Sequence, residues 1–303
     1  MAHVRQSTSE GRVSGALLKT KLYVPHPRPD RVPRQRPLQR LNEGLPGRKL
    51  TLISAPAGYG KTTLLAQWMA QAEHPVAWLS LDGGDDDPAR FLVYLTAALR
   101  RLPKFPSPPG PDGVQSAGDG EAQLTALLNL ANELPKLAVL VLDDFHRLTE
   151  PMVHRYVAYL VDNMPPTLAV VLATRADPPL PIARLRAEGQ LTEIRQTELR
   201  FTAEEAADFL HRAMGLELTD EQVAALTGRT EGWVAGLQMA AASLRQRDDV
   251  EAFIHTFAGS HRYVMDYLME EVLQRQPYER QTFLLQTSIL DRLSAPLCDA
   301  VLL

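Results

Sequence analysis

The stretch 50-LTLISAPAGYGKTTLLAQW-68 joins a mostly apolar run, a glycine-bearing loop and a helical run end to end. A phosphate-binding loop needs those three parts. A strand delivers the chain, backbone N–H groups curl around the phosphate oxygens, and a helix begins beneath them. The segment Ala55, Pro56, Ala57, Gly58, Tyr59, Gly60, Lys61, Thr62, Thr63 departs from the G-x-x-x-x-G-K-[ST] pattern at its first position, where alanine replaces glycine. That position contacts no ligand through a side chain. A methyl group is tolerable there if the residue keeps φ below zero. Gly58 and Gly60 stand where the backbone must take unusual dihedrals. Lys61 would reach the β- and γ-phosphates, and the Thr62 hydroxyl would bind Mg²⁺.

Alternating apolar runs extend this pattern into an α/β fold. "PVAWLSL", "LAVLVLDDF", "TLAVVLATR" and "LTEIRQ" read as four further strands, separated by helical stretches such as "DDDPARFLVYLTAALRRL" and "VHRYVAYLVDNM". Near-continuous apolar strands between helices predict a parallel sheet covered on both faces. Asp87 is the expected N-cap of one helix, with Pro88 at its first position, and a short helix is expected near Pro37–Asn42. Beyond Phe201 the strands stop. A capping box, Thr202 to Glu205, opens an all-helical stretch, with two later helices expected to break near Gly228. There is no repeat with a period of about 20–50 residues. The Pro/Gly/Ser run 103–121 reads as a surface loop.

Two more strand ends carry chemistry. "LAVLVLDDF" closes on paired acids: Asp143 would coordinate Mg²⁺, and Asp144 would polarise an attacking water as general base. "LAVVLATR" closes on Arg175, at the sheet edge where α/β folds bind ligands. Arg175 would either meet a γ-phosphate or form a structural salt bridge. The acidic "SLDGGDDDPARF" lacks the spacing of a calcium-binding helical loop and reads as a strand end before a capped helix.

Bulk properties bound the rest. The 303 residues suffice for roughly two domains at about 150 residues each. No apolar run is long enough to span a membrane, and "MAHVRQSTSEGR" lacks the apolar core of a signal peptide. Cys298 is the only cysteine, so an internal disulfide is excluded and a cytoplasmic location is expected. Residues 1–61 hold twelve Lys/Arg against three Asp/Glu, although the net charge is −4. This basic head could meet nucleic acid or a nucleotide, or be a solvated arm. The chain as a whole is not basic enough to be read as a DNA binder.

Taken in order, "TKLYVPHPRPDRVPRQRPLQRL", the phosphate loop, "VAWLSLDGGDDDPARFLVYLTAAL", "VLVLDDFHRL", "LATRADPPLPIARLRAEGQLTEIR", "TEGWVAGLQMAA" and "FLLQTSILDRLSAPLCDAVL" resemble the MalT-like, LuxR-family ATP-dependent transcriptional regulators, which belong to the STAND ATPases. The resemblance implies a P-loop NTPase sheet of order 5-1-4-3-2. Residues 1–18, small and polar, read as a disordered arm; the resemblance, which covers Thr20 to the last residue, implies a nucleotide-binding domain at 19–200, a helical domain at 201–258 and a partial winged-helix domain at 259–303. It also implies a switch that is closed with ADP, opened by an inducer and ATP to self-associate, and reset by slow hydrolysis. Arg175 matches the family's sensor arginine, and Val32 and Arg34 match a segment that lies against adenine. DNA binding would belong to a C-terminal domain absent from this chain, which stops within the winged helix, before any histidine that contacts the ADP β-phosphate. Two other classes stay open. One is an AAA+-type machine, which would carry Glu where Asp144 stands. The other is a scaffold that holds ADP without hydrolysing it.

Overall fold

The computed structural model describes residues 17–26, 32–106, 120–245, 249–257 and 262–302. Residues 1–16 of the expected arm and 107–119 of the expected loop lie outside that set. Five parallel strands form one sheet: β1 (Leu50–Ser54), β2 (Val76–Ser80), β3 (Ala138–Asp143), β4 (Leu168–Thr174) and β5 (Leu191–Arg195). Their spatial order is β2-β3-β4-β1-β5, which is the expected 5-1-4-3-2 viewed from the other edge.

Every residue of β1, β3 and β4 is buried. Alternation along each strand sends side chains to opposite faces. Leu50, Leu52, Leu140, Leu142, Val170 and Leu172 face one layer of helices: α3 (Pro88–Leu99), α4 (Gly120–Asn132) and α5 (Pro151–Asp162). Ile53, Val139, Val141, Val171 and Ala173 face the other, α1 (Gln35–Gly44) and α2 (Lys61–Met69). Short helices α6 (Ile182–Ala187) and α7 (Gln196–Leu199) flank β5. Asp87 caps α3 by accepting from the Arg90 N–H at 2.7 Å, with Pro88 in the first turn.

After the sheet come α8 (Ala203–Asp208), α9 (Asp220–Thr230), α10 (Val234–Leu244), α11 (Val250–Thr256), α12 (Arg262–Leu268), α13 (Tyr278–Thr287) and α14 (Ala295–Leu302). Thr202 and Glu205 form the capping box of α8. Ala206, Leu210, Leu226, Leu237, Ala241 and Phe253 build a separate core here, and Val32 joins it from the other end of the chain. The break between α9 and α10 falls at Glu231–Gly232, not near Gly228. Both residues are left-handed, with φ of 50° and 71°. The Gly232 carbonyl accepts from the Phe201 N–H at 2.9 Å, and a Cβ on Gly232 would lie 2.6 Å from the Phe201 carbonyl oxygen. Only glycine fits that approach, whereas Gly228 stays inside α9. The run after Arg262 also differs from a single regular helix, because a wide π turn, Met269–Leu273, follows α12. Among the described residues no helix is long and apolar enough to cross a membrane.

The acidic loop after β2 is structural. Asp85 is fully buried and pairs with Lys21, which also lies 3.1 Å from Asp82. Asp86 accepts from the N–H groups of Thr149 and Glu150 and from the Thr149 hydroxyl, tying this loop to the start of α5. Removing one partner of a buried pair leaves the other charge uncompensated. Lys21→Met should therefore lower unfolding stability by about 3 kcal/mol in denaturant titration, and adding Asp85→Asn should recover part of the loss.

Candidate nucleotide-binding site

β1 delivers the chain to the loop, and α2 carries it away. The Ala55 N–H donates to the Thr174 carbonyl at 3.2 Å, so strand pairing with β4 runs one residue past Ser54. Among the described residues, positive φ outside glycine falls at Lys104, Asp144 and Glu231, and not at Ala55. Ala55 follows the end of β1 without a left-handed backbone, and its methyl packs in the core, which removes the need for glycine. Gly58 and Gly60 take φ of 79° and 74°. Gly60 is the N-cap of α2 and brings no side-chain acceptor, so the first-turn N–H groups have no side-chain cap. Lys61 donates to the carbonyls of Ala55 at 2.6 Å and Pro56 at 2.9 Å. Burial, then the charge of Arg175, pulls its pKa down to about 8, against the pull of Asp144 and Asp143.

The Thr62 hydroxyl donates to Asp143 Oδ2 at 2.8 Å. Asp143 Oδ1 is buried without a hydrogen-bond partner. Burial and the neighbouring Asp144 carboxylate push the Asp143 pKa up to about 6, with Thr62, the Asp144 backbone and Lys61 opposing. An unpartnered buried carboxylate oxygen beside a threonine hydroxyl is a donor set suited to a hard divalent cation, so the residues fit Mg²⁺. Asp144 is left-handed and more exposed, with Oδ1 lying 3.8 Å from His146 Nδ1. Both nitrogens of His146 are buried without partners. Burial, then Arg175, Arg147, Lys61 and Arg275, drives its pKa down to about 3.

Arg175 leaves β4 at this same edge, but its fork is taken. Nη1 donates to the Glu271 carbonyl and Nη2 to Glu271 Oε2, each at 2.7 Å. Glu271 also pairs with Arg275. On the other side of the loop lies a cavity of about 290 Å³, lined by Gly60, Thr62 and Thr63 and by Val32, Arg34, Phe201, Phe209, Val234 and Gln238. Its apolar wall beside a phosphate loop suits a purine base. Arg34 lines it, although its guanidinium is engaged by Glu205 and by the carbonyls of Leu199 and Arg200. The structure thus sets Val32, Arg34, Gly60, Thr62 and Thr63 on one cavity and joins Asp143 to it through Thr62. The charges of Asp143, Asp144 and Arg175 act on Lys61, and Arg175 is held in an ion pair.

Residues 45–176 match the AAA domain model, and residues 269–303 match the MalT winged helix domain model. The MalT transcriptional regulators of Serratia proteamaculans and Yersinia enterocolitica are 35% and 32% identical over 284 and 286 residues, each across 90% of this chain. The serine/threonine-protein kinase PknK of Mycobacterium tuberculosis is 34% identical over 259 residues, across 84% of this chain. The chain is MalT-like. It spans 30% and 31% of those two regulators and 23% of that kinase. Among solved structures, a Walker-type ATPase of Pyrococcus abyssi aligns with a TM-score of 0.57 at 14% identity, covering 91% of this chain and 89% of that one. A STAND protein with a tetratricopeptide repeat sensor from Pyrococcus horikoshii aligns at 0.52 and 21%, covering 89% and 36%. Both likenesses show the fold, that of a P-loop NTPase.

In this MalT-like chain the helical segment grips the phosphate loop itself, which the sequence reading missed. Trp233 Nε1 donates to the Ala57 carbonyl and the Ala235 N–H to the Gly58 carbonyl, each at 3.0 Å. Tyr59 Oη accepts from Gln196 at 2.6 Å. A Cβ on Gly58 would lie 2.5 Å from Ala235 Cβ and 2.7 Å from Trp233 Nε1. Trp233 sits in "TEGWVAGLQMAA", a stretch that carries resemblance but no metal or phosphate chemistry. Gly58→Ala should cost about 1–2 kcal/mol from the left-handed backbone alone. It should also release Trp233, seen as a shift in tryptophan emission. A carboxylate whose folded pKa exceeds its unfolded one destabilises the fold above that folded pKa and not below the unfolded one. Asp143→Asn should therefore stabilise the metal- and nucleotide-free protein at pH 7 by about 2 kcal/mol. The gain should fade between about pH 6 and pH 4. Thermal unfolding in EDTA across pH measures it.

Proposed function

We propose that this chain is the ATP- and ADP-binding switch of a transcriptional regulator. The observation that carries the reading is the double hold on the site. The helical segment clasps the phosphate loop at Ala57 and Gly58, and Glu271 clasps Arg175. A site held by two elements outside the sheet can pass its occupancy on to them. In this reading a nucleotide-binding unit (19–200), a helical unit (201–258) and a winged-helix portion (259–303) move relative to one another. Lys61 leaves the Ala55 and Pro56 carbonyls to meet the β- and γ-phosphates. Thr62 and Asp143 hold Mg²⁺, which neutralises phosphate charge when bound. Asp144 orients and deprotonates the attacking water, Arg175 meets the γ-phosphate, and Val32 and Arg34 wall the base. Hydrolysis is slow and resets an ATP-driven self-association in the cytoplasm. An inducer, a small molecule or a protein, acts on the whole regulator, and DNA is bound through a segment other than this one.

Turnover separates this from the competing classes. A machine turns over at about 1 s⁻¹ or faster, a switch is orders of magnitude slower, and an ADP scaffold shows no release of phosphate. Lys61→Ala should weaken ATP and ADP binding about 10- to 150-fold, the worth of a lost charged hydrogen bond, while the fold survives. Unchanged affinity by calorimetry would remove Lys61 from the site. Asp143→Asn should weaken Mg²⁺-dependent binding. Asp144→Asn should leave binding intact and slow hydrolysis, because a base acts only in the chemical step. Equal loss of binding in both variants would refute that division of roles.

A further inference from the structure

The geometry points to Glu271 as a specificity-determining residue that occupies Arg175 in place of a γ-phosphate, so that the site favours a nucleoside diphosphate until the turn bearing Glu271 moves away. This rests on the nucleotide reading above, and on Arg175 standing at the phosphate end of the cleft. A guanidinium presents its donors as a planar fork, and two of them are spent on one residue: Nη1 on the Glu271 carbonyl and Nη2 on Oε2. A pair of phosphate oxygens asks for the same fork. A γ-phosphate and the Glu271 carboxylate are both anions, and they compete for one cation.

Glu271 does not swing away freely. Arg275 grips its other carboxylate oxygen, Oε1, from one turn later. The Glu271 backbone is fixed as well, because its carbonyl accepts from Arg175 rather than only from within its own helix. Glu271 lies at the centre of the wide turn Met269–Leu273. Such turns loosen the regular hydrogen-bond ladder and turn backbone groups toward partners outside the helix. To free Arg175, the turn itself has to shift, and α12 shifts with it. Tyr267 on α12 stacks edge-on against Trp233, with ring centroids 5.6 Å apart, and Trp233 holds the phosphate loop. A diphosphate ends at the β-phosphate, within reach of the loop and Lys61, and leaves the Arg175–Glu271 pair intact. A triphosphate must break it.

The test uses the full chain with Mg²⁺, titrated by calorimetry with ADP and with the non-hydrolysable AMP-PNP. Glu271→Gln keeps the size and the carbonyl acceptors but removes the competing charge. The expected result is AMP-PNP affinity raised about tenfold, with ADP affinity changed less than about twofold, so that the triphosphate-to-diphosphate ratio rises. In an Arg175→Ala background the same substitution should leave that ratio unchanged. If Glu271→Gln does not fold, Glu271→Asp, which retracts the charge by one methylene, must move the ratio in the same direction. An unchanged ratio with ADP binding intact would reduce the pair to a structural strut and overturn the proposal, while the nucleotide reading stands. Loss of all nucleotide binding in the unmodified chain would instead refute that reading itself.

Discussion

The parallel register that sets Ser54 beside Thr174 fixes where every charge in the cleft stands. β1 lies between β4 and β5, and β3 lies beyond β4, so the carboxyl ends of three strands finish along one edge. Ala55 adds a last ladder bond to Thr174. That bond ends the strand at the height where Lys61 can turn back over the loop carbonyls. Two strands from β1, Asp143 ends β3 opposite Ser80 and reaches Thr62 at the head of α2. A one-residue slip would turn the buried side chains of β1 toward the opposite helical layer. The burial of all five β1 residues therefore holds this edge in place.

That edge carries charges whose partners are incomplete. Lys61 is buried against neutral carbonyls, Asp143 has an orphaned oxygen, and His146 has no hydrogen bond at either nitrogen. The physical signs agree: a lysine pulled down to about 8, an aspartate pushed up to about 6, a histidine driven down to about 3. Groups arranged for packing alone would be satisfied within the protein. Here the lysine has a surplus of positive charge and the aspartate a surplus of negative charge, side by side. A metal–phosphate ligand brings the complement to both. Whatever stability these groups cost, binding returns by stabilising the folded state in proportion to ligand concentration over Kd.

Local chemistry was legible in the sequence, and contacts between distant segments were not. The strands announced themselves as apolar runs because both sheet faces are covered, and Asp87–Pro88 and Thr202–Glu205 marked helix starts because caps act within three residues. Lys61, Thr62 and Asp143 came from motifs, and the structure brings Thr62 and Asp143 together at 2.8 Å. The break after α9 was misplaced because Gly228 and Gly232 look alike in sequence. The difference is that the Phe201 backbone, thirty-one positions before Gly232, presses against only one of them. Arg34 was expected against adenine. It lines the cavity beside the loop, and its guanidinium is spent on Glu205 and two carbonyls. Glu271 left no local pattern, because Arg175 reaches it only through folding, across ninety-six positions. His146 stands two residues after Asp144, and what sequence could not show is the burial of its ring.

The clasp on the phosphate loop ties the loop's geometry to the helical segment. Loop carbonyls are normally free to tilt as the loop adapts to a phosphate, but those of Ala57 and Gly58 are bound to Trp233 and the Ala235 backbone. Any rotation of those peptide units has to be matched by α10 or break two hydrogen bonds. α10 is in turn packed through Leu237, Ala240 and Ala241 into the separate helical core. Packed interiors resist continuous deformation and respond by shifting as units. A change in loop geometry therefore has to carry α10 with it or give up these hydrogen bonds. Glycine at 58 makes the clasp possible, because no other residue lets the loop, Trp233 and Ala235 meet so closely.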